Sequence, residues 1–403
     1  MTMTDPRNDL TADEQRVTEL VDELLASFPP ASTDPQVFLG AQYDRGLAWV
    51  HFPEGFGGLG LTPKLQKLIN ERVYAAGAPN PMYRNPIGHG MCGPTVVMWG
   101  SDAQKERYLR PLFTGEEIWC QLFSEPGSGS DFAGLSSTGV KDGEEWIVNG
   151  QKVWTTLAHL SRWGLLVVRT DPNAVKHAGL TAFVVDMQDP TVEIRPLRQM
   201  TGEAEFNEVF FSDTRIADDE MLGGPGDGWR VSLTTLMNER VSIGGTIPQR
   251  GSGTISALVQ TWQKLPAARK DAVALDDVMK LWARAEVLRL TNIRANQNRK
   301  MGDPGPEGSI CKMASADLNK DIYDEVIDLL GADGLLYGSY EMIRPETAMG
   351  SDTLQKAFLR SRANSIEGGT TEVMKNILGE RVLGLPGDVR VDRDVPWSEV
   401  PRS

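Results

Sequence analysis

Between residues 116 and 222 the hydrophobic pattern of this chain changes period, and that change constrains the fold more than any other feature. Runs of β-branched and aromatic residues at 117–123, 145–149, 164–169, 181–186, 192–195 and 206–211 are short and separated by turn signals. Asp142-Gly143 and Asn149-Gly150 read as hairpin turns, because both central positions can take a positive φ. No helical stretch intervenes, so the strands predict a small barrel or sandwich rather than βαβ units. On either side the period is helical. Thr11 and Glu14 have the spacing of a capping box. Leu65, Leu68, Ile69 and Val73 mark a helix over Pro63–Ala76, with Thr62 as cap and Pro63 in its first turn. The Gly- and Pro-rich stretch from Gly77 to Pro94 interrupts the helical pattern. Helical spacing returns from Gly228 to about Leu383, as in Leu281, Ala285, Leu288 and Asn292, and in Ile322, Val326, Leu329 and Leu330. The expected fold class is α+β multidomain: an N-terminal helical domain (1–115), a middle β-domain (116–222), a C-terminal helical domain (223–386) and an acidic, loosely ordered tail (387–403).

Charge and cysteine usage narrow the function. The net charge is −14 with no basic block, which argues against nucleic acid and anionic membrane as main partners. Cys92, Cys120 and Cys311 are far apart and form no CxxC pair, so a reducing compartment fits. Met1–Val17 is polar and lacks an apolar core, so no signal peptide or membrane span is expected and the location predicted is cytoplasmic. His51, His89, His159 and His177 show no ligand spacing, which argues against a metal. Gly55–Gly60 (GFGGLG) satisfies the dinucleotide pattern G-x-G-x-x-G. However, Pro53-Glu54 breaks any preceding strand, the next helix starts outside the fingerprint, and no βαβ unit follows. A glycine-rich turn ahead of a helix is the better reading.

Two segments carry chemistry. Trp119–Asp131 (WCQLFSEPGSGSD) is a strand running into a Gly/Ser loop whose N–H and hydroxyl groups suit a polar or anionic ligand. Asn149–Thr156 (NGQKVWTT) presents an aromatic ring beside hydroxyls, which suits a planar heteroaromatic ligand. Together with Leu236–Gly245 and Ile366–Pro386 (IEGGTTEVMKNILGERVLGLP), these segments resemble the acyl-CoA dehydrogenase family from about residue 40 to Pro386. The resemblance implies a helical domain, a middle β-domain and a C-terminal four-helix bundle. It also implies FAD as cofactor and α,β-desaturation of an acyl-CoA thioester. In that reaction a base removes a Cα proton while a hydride leaves Cβ for flavin N5.

In many members of the family the base directly precedes the G-T of the C-terminal signature. Here that position is Gly368, between Glu367 and Gly369. A group resembling isovaleryl-CoA dehydrogenase has a small residue there and takes its Glu from a helix at the start of the C-terminal domain. The resemblance therefore assigns the base to Glu239, with Glu367 as the runner-up. Ser232, Thr235, Glu239 and Ser242 fall on one helical stripe, beside the apolar Leu233, Leu236, Met237 and Val241, as in a helix edging a cavity.

By the same resemblance Gln121, Phe123 and Ser124 line the pyrimidine side of the flavin, while Gly129 and Ser130 reach pyrophosphate and CoA. Trp154 flanks the ring, Thr156 donates to N5, and Thr370 and Glu372 meet cofactor from the C-terminal signature. Leu330-Gly331 falls near the adenine side. Ser130, Arg240 and Gly368 are the expected substrate contacts. The family's R-x-x-F-G segment, which reaches FAD from a neighbouring subunit, has no match; Thr246–Lys270 offers only Arg250 and Arg269. The implied partners are an acyl-CoA substrate, an electron-transfer flavoprotein as acceptor and further copies of the chain in a homodimer or homotetramer. The alternatives are a subunit of a heteromeric dehydrogenase and a flavin monooxygenase on the same fold.

Overall fold

The computed structural model describes residues 11–244, 248–300, 305–347, 353–387, 389, 391–392 and 394–401, the side chains of 239–244 and 299–300 excepted. Six α-helices come first among the described residues: α1 (Ala12–Ser27), α2 (Pro35–Asp44), α3 (Leu65–Ala75), α4 (Pro81–Arg84), α5 (Gly93–Trp99) and α6 (Asp102–Thr114). The capping box of α1 forms, with Thr11 and Glu14 satisfying each other's backbone N–H. Helix α3 starts later than its sequence signals: Lys64 precedes it without a side-chain cap, and Thr62 contributes a backbone carbonyl to Leu65 N–H instead.

The Gly- and Pro-rich stretch is more helical than its composition implies. It holds α4, a π-helical turn at Gly88–Cys92 and the start of α5. The reason is Asn85, a buried side chain that replaces the missing local order. Its Nδ2 donates to Leu112 O (2.9 Å) and Glu117 O (3.2 Å), and its Oδ1 accepts from Gly88 N (3.2 Å) and Trp119 N (3.1 Å). Gly88 allows this approach, since a Cβ there would lie 2.4 Å from the Asn85 carboxamide. The Gly55–Gly60 segment is a tight turn that starts no helix. A Cβ on Gly58 would lie 2.1 Å from Phe52 O, so close backbone packing explains that glycine.

Eight strands follow among the described residues: β1 (Trp119–Leu122), β2 (Thr138–Asp142), β3 (Glu145–Thr156), β4 (Trp163–Arg169), β5 (Leu180–Asp186), β6 (Val192–Pro196), β7 (Phe206–Ala217) and β8 (Met221–Leu222). They form one sheet in the order β6-β7-β3-β2-β4-β5-β8, with β1 added in parallel to β4. Asp142-Gly143 does lead a hairpin, whose loop is Gly143–Glu144 with Gly143 at φ 64°. Asn149-Gly150 is not a turn: β3 runs through it, and pairing with β7 overrides the local signal. Gly150 instead sits at a register shift, with φ 152° and Ser137 too close for any side chain. Strands β4 and β5 are apolar on both faces because both are covered. Leu165, Val167, Ala182 and Val184 join the core of the N-terminal helices, while Leu166, Val168, Phe183 and Val185 join a core within the sheet.

The remaining helices are α7 (Gly228–Gly244), α8 (Thr254–Lys264), α9 (Ala272–Lys300), α10 (Glu307–Leu330), α11 (Leu354–Ser361) and α12 (Thr371–Ile377). Ile255, Leu258, Val278, Leu281, Ile322 and Val326 form a third core among α8, α9 and α10. The tail is not loosely ordered throughout. Pro396 bridges to Val175, and Trp397 is buried against the sheet. No helix among the described residues is long and apolar enough to cross a membrane.

Asn85→Ala removes one side chain from four backbone groups at the junction of helices and sheet. Each buried group left unpaired costs about 1–3 kcal/mol, so a loss on the order of 2–4 kcal/mol is expected, read as a lowered urea midpoint at constant slope. An unchanged midpoint would contradict the role given to Asn85.

Candidate active site

The two segments singled out in the sequence meet at the open end of β1. Val153 N–H donates to Ser124 O at 2.9 Å, so β3 continues alongside the chain past the last residue of β1. One residue further on each side lies a buried ion pair. Lys152 Nζ is 2.8 Å from Glu125 Oε1 and also donates to Phe123 O at 3.1 Å; the two side chains are 0% and 5% exposed. Glu125 accepts further bonds from Ser136 N, Ser136 Oγ and Ser137 N. Burial pushes the Glu125 carboxyl up, but the Lys152 charge and these hydrogen bonds outweigh it and hold the group at about 2. The loop from Glu125 to Ser137 is thus closed at both ends on one carboxylate. Within it, a Cβ on Gly127 or Gly129 would meet no atom within 4 Å. Nothing in the protein itself demands glycine there, whereas a ligand approaching the backbone would.

Trp154 stands out on β3. It has φ 60°, in the left-handed region, and sits where the pairing with β7 shifts register between Lys152 and Thr155. A non-glycine residue held there costs on the order of 1–3 kcal/mol. The bulge turns the indole outward: Trp154 is 57% exposed and touches Phe206 edge-on at 5.7 Å. Thr156, Gln121 and Ser124 are half-buried, and their side-chain polar atoms bond to no other described residue. Ser130 is exposed on the loop, and Phe123 is buried against Phe132.

The C-terminal signature reaches the same place through a cation. Arg360 holds Glu367 in a two-pronged pair (Nη1–Oε1 3.1 Å, Nη2–Oε2 2.8 Å), lies 3.6 Å from Glu205 and sits 6.0 Å from the centre of the Phe206 ring. Trp154, Phe206, Arg360 and Glu367 therefore form one continuous run of contacts. Asn364 Nδ2 also donates to Glu367 at 2.8 Å, so both Glu367 oxygens are engaged. Gly368 and Gly369 follow with φ 63° and 92°, a conformation that disfavours any side chain at 368. Thr370 then caps α12 by accepting from Val373 N, and Glu372 is exposed on its first turn. Lys356–Glu203 (2.5 Å) adds a second, largely buried pair across the same junction.

Helix α7 joins from the other side. Phe123, Phe132 and Trp229 contact one another in series, with ring centres 4.9 and 6.0 Å apart. Ser232 and Thr235 are buried, Thr235 bonding to Thr95 at 2.9 Å, while Leu233 and Met237 face outward. The inner face of α7 over this stretch is mixed, with Ser232 and Thr235 beside the buried Val231 and the core-packed Leu236. Glu239 and Arg240 lie further along α7, and their side chains fall outside the described residues. At the expected adenine side, Arg269 caps the end of α10 through Leu329 O and Leu330 O, and Arg250 lies over Trp282. Sequence reasoning missed Lys152, Glu125, Arg360 and Glu205. The available signal was Lys152 itself, a cation at an inward position of a strand.

This geometry belongs with a set of known proteins. Residues 15–116, 120–214 and 226–383 match, in order, the N-terminal, middle and C-terminal domains of acyl-CoA dehydrogenases. The chain is 36% identical over 347 residues to the acyl-CoA dehydrogenase IpdE1 of Mycobacterium tuberculosis, covering 86% of each. It is 34% identical over 391 residues to FadE34 of the same organism, covering 96% of this chain and 51% of that one. The chain belongs to the acyl-CoA dehydrogenase family. Among solved structures, the Tcur3481-Tcur3483 steroid ACAD superposes with a TM-score of 0.71 at 21% identity, over 96% of this chain and 100% of that one. The ChsE4-ChsE5 complex from Mycobacterium tuberculosis does so at 0.68 and 23%, over 96% and 100%. Members of the family are FAD-dependent flavoproteins and oxidoreductases acting on acyl-CoA.

The residues present fit that cofactor. An outward aromatic face, a loop with room at Gly127 and Gly129, and open polar groups on Gln121, Ser124 and Thr156 are what a flavin with its phosphates requires.

Trp154→Gly separates strain from binding. Relieving the left-handed backbone should stabilise the apoprotein by about 1 kcal/mol, whereas loss of the ring should weaken FAD retention several-fold. A lower melting temperature for the apo variant, or unchanged FAD affinity, would contradict this reading.

Acid sensitivity follows from Glu125. Its folded value of about 2 lies below the ordinary 4.5, so its stabilisation is complete above 4.5 and is lost as pH falls through about 2. Lys152→Met should therefore flatten the fall in stability between these pH values, measured by urea unfolding across the series.

Proposed function

We propose that the chain is an FAD-dependent acyl-CoA dehydrogenase that desaturates an acyl thioester between Cα and Cβ, with Glu239 as the base. The observation that carries this reading is the state of the C-terminal signature. The position before Gly369-Thr370 is a glycine with positive φ, and the neighbouring Glu367 has both oxygens bound by Arg360 and Asn364. A carboxylate anchored by both Arg360 and Asn364 is not free to swing toward a substrate Cα, which leaves the α7 carboxylate for the task.

In this reading Gln121, Phe123, Ser124, Trp154, Thr156, Thr370 and Glu372 hold FAD, with Gly129 and Ser130 toward its phosphates and the CoA. FAD, when bound, supplies the hydride acceptor. Glu239 takes the α-proton as the Cα–Cβ double bond forms, and Arg240 and Gly368 shape the acyl cavity. The electrons pass on to an electron-transfer flavoprotein. A reducing compartment, the cytoplasm, is part of the same proposal. Cys92 and Cys120 are buried thiols with Cys92 Sγ 3.9 Å from Cys120 O, and they stay unlinked.

Assembly is also proposed, as a homodimer or homotetramer. Met279, Val287 and Leu290 are exposed along one side of α9, an apolar surface suited to another subunit. A second reading is a heteromer with a similar but different chain. The missing R-x-x-F-G segment favours it, and one structural neighbour is the ChsE4-ChsE5 complex.

Glu239→Gln should keep FAD and lose acyl-CoA-dependent flavin bleaching by a factor on the order of 10²–10⁴. The panel of thioesters should run from straight-chain and branched to steroid-derived acyl groups, the last because of the steroid neighbour. Glu367→Gln should retain bleaching and lose only stability from the Arg360 pair. The reverse pattern would move the base to the C-terminal loop. Loss in neither would favour the monooxygenase or heteromer-subunit reading. Expression with and without similar chains, followed by light scattering, separates the two assemblies.

A further inference from the structure

Beyond residue 383, where the family match ends, the chain returns to the sheet. Trp397 N–H donates to Ala174 O and Ser398 N–H to Pro172 O, both at 2.9 Å, so the tail lies along the 170–178 connection between β4 and β5. Two side chains of the tail then reach two buried cations. The Trp397 ring, 9% exposed, covers one face of the Arg169 guanidinium at 4.2 Å. Asp392 Oδ2 is 2.5 Å from Lys176 Nζ.

Both cations hold the Glu125–Ser137 loop by their other sides. Arg169 donates through Nη2 to Ala133 O (2.6 Å), through Nε to Leu135 O (3.2 Å) and through Nη1 to Lys176 O (3.1 Å). Lys176 Nζ is 2.7 Å from Asp131 Oδ2, at the end of the Gly127–Asp131 run. Arg169 is almost fully buried, and stripping the indole from it would open its face to water. Lys176 without Asp392 would lose one of its two carboxylate partners and its fixed position over Asp131.

We propose that the tail residues Asp392 and Trp397 are positioning residues for the Glu125–Ser137 loop, acting through Lys176 and Arg169, so that the tail forms a strap setting how tightly the loop grips the phosphate groups of cofactor and thioester. This rests on the proposed reading of the loop as phosphate-facing. The strap lies beyond residue 383, where the match to the family's C-terminal domain ends.

The test compares the full-length holoprotein with a chain ending at Gly387 and with Asp392→Asn, Trp397→Ala and Trp397→Phe. Hydrogen exchange is read on peptides spanning 125–137, with α8 and α10 peptides as internal reference. FAD affinity and the KM and kcat for acyl-CoA are read in parallel. The shortened chain and Trp397→Ala should exchange the loop about ten-fold faster and raise KM by a similar factor with kcat nearly unchanged, because a desolvated cation–aromatic contact carries that order of stabilisation. Trp397→Phe, which keeps an aromatic face, should restore most of both. Unchanged loop exchange in the shortened chain overturns the strap, as does an acceleration shared equally by α8 and α10. Faster loop exchange with unaltered KM and FAD affinity keeps the strap and overturns the phosphate-facing reading of the loop.

Discussion

The Lys152–Glu125 pair is the interaction on which the site depends. A lysine with no exposed side-chain surface is expensive to bury; here Phe123 O accepts from it at 3.1 Å and one carboxylate, itself held by three further hydrogen bonds, faces it at 2.8 Å. The two partners lie 27 residues apart in sequence, one in each of the segments with the character of a flavin site. Their pairing closes the Gly/Ser loop at both ends and places it next to the bulged end of β3. Together with the Val153 N–H to Ser124 O bond, the pair ties the loop and the Trp154 bulge into one frame.

Around that frame the chain carries local strain. Trp154 occupies a strained backbone conformation and exposes a large apolar ring, two features that core packing would not select. Its neighbour Phe206 passes the contact to Arg360, which binds Glu367 in the C-terminal signature. The helical C-terminal part and the sheet are thereby joined at the site through charge as well as apolar packing. Glu205 contributes to this junction. Burial raises its pKa, with Arg360 opposing, so the junction is sensitive to loss of the arginine.

Much of the architecture was legible in the sequence because it is written in local periodicity. The β-branched runs marked six of the strands, and the helical spacing of Ile322, Val326 and Leu329 marked α10. Strand β2 was not legible, since Thr138–Asp142 is largely exposed and carries no apolar alternation. Asn149-Gly150 misled because its turn preference is local, while pairing with β7 is a tertiary gain. The Gly77–Pro94 stretch misled in the same way, its order resting on Asn85 and carbonyls up to 32 residues distant. In the tail, acidic composition hid Trp397, whose value lies in its contact with Arg169. The residues proposed for the site came only from the resemblance. Lys152 and Glu125 pair across 27 residues, and Arg360 reaches Glu205 and Phe206 on the sheet as well as the nearby Glu367; the one local signal was Lys152, a cation at an inward position of a strand.

The claim that one buried ion pair holds the cofactor segments together is tested most directly by a double-mutant cycle on FAD affinity, using Lys152→Met, Glu125→Leu and the double variant. The account predicts that each single variant weakens FAD binding by about ten-fold or more, since each leaves an unpaired buried charge. It also predicts that the double variant falls well short of the sum, with a coupling energy on the order of 1–3 kcal/mol. Single effects that simply add, or FAD affinities unchanged in all three, would contradict it.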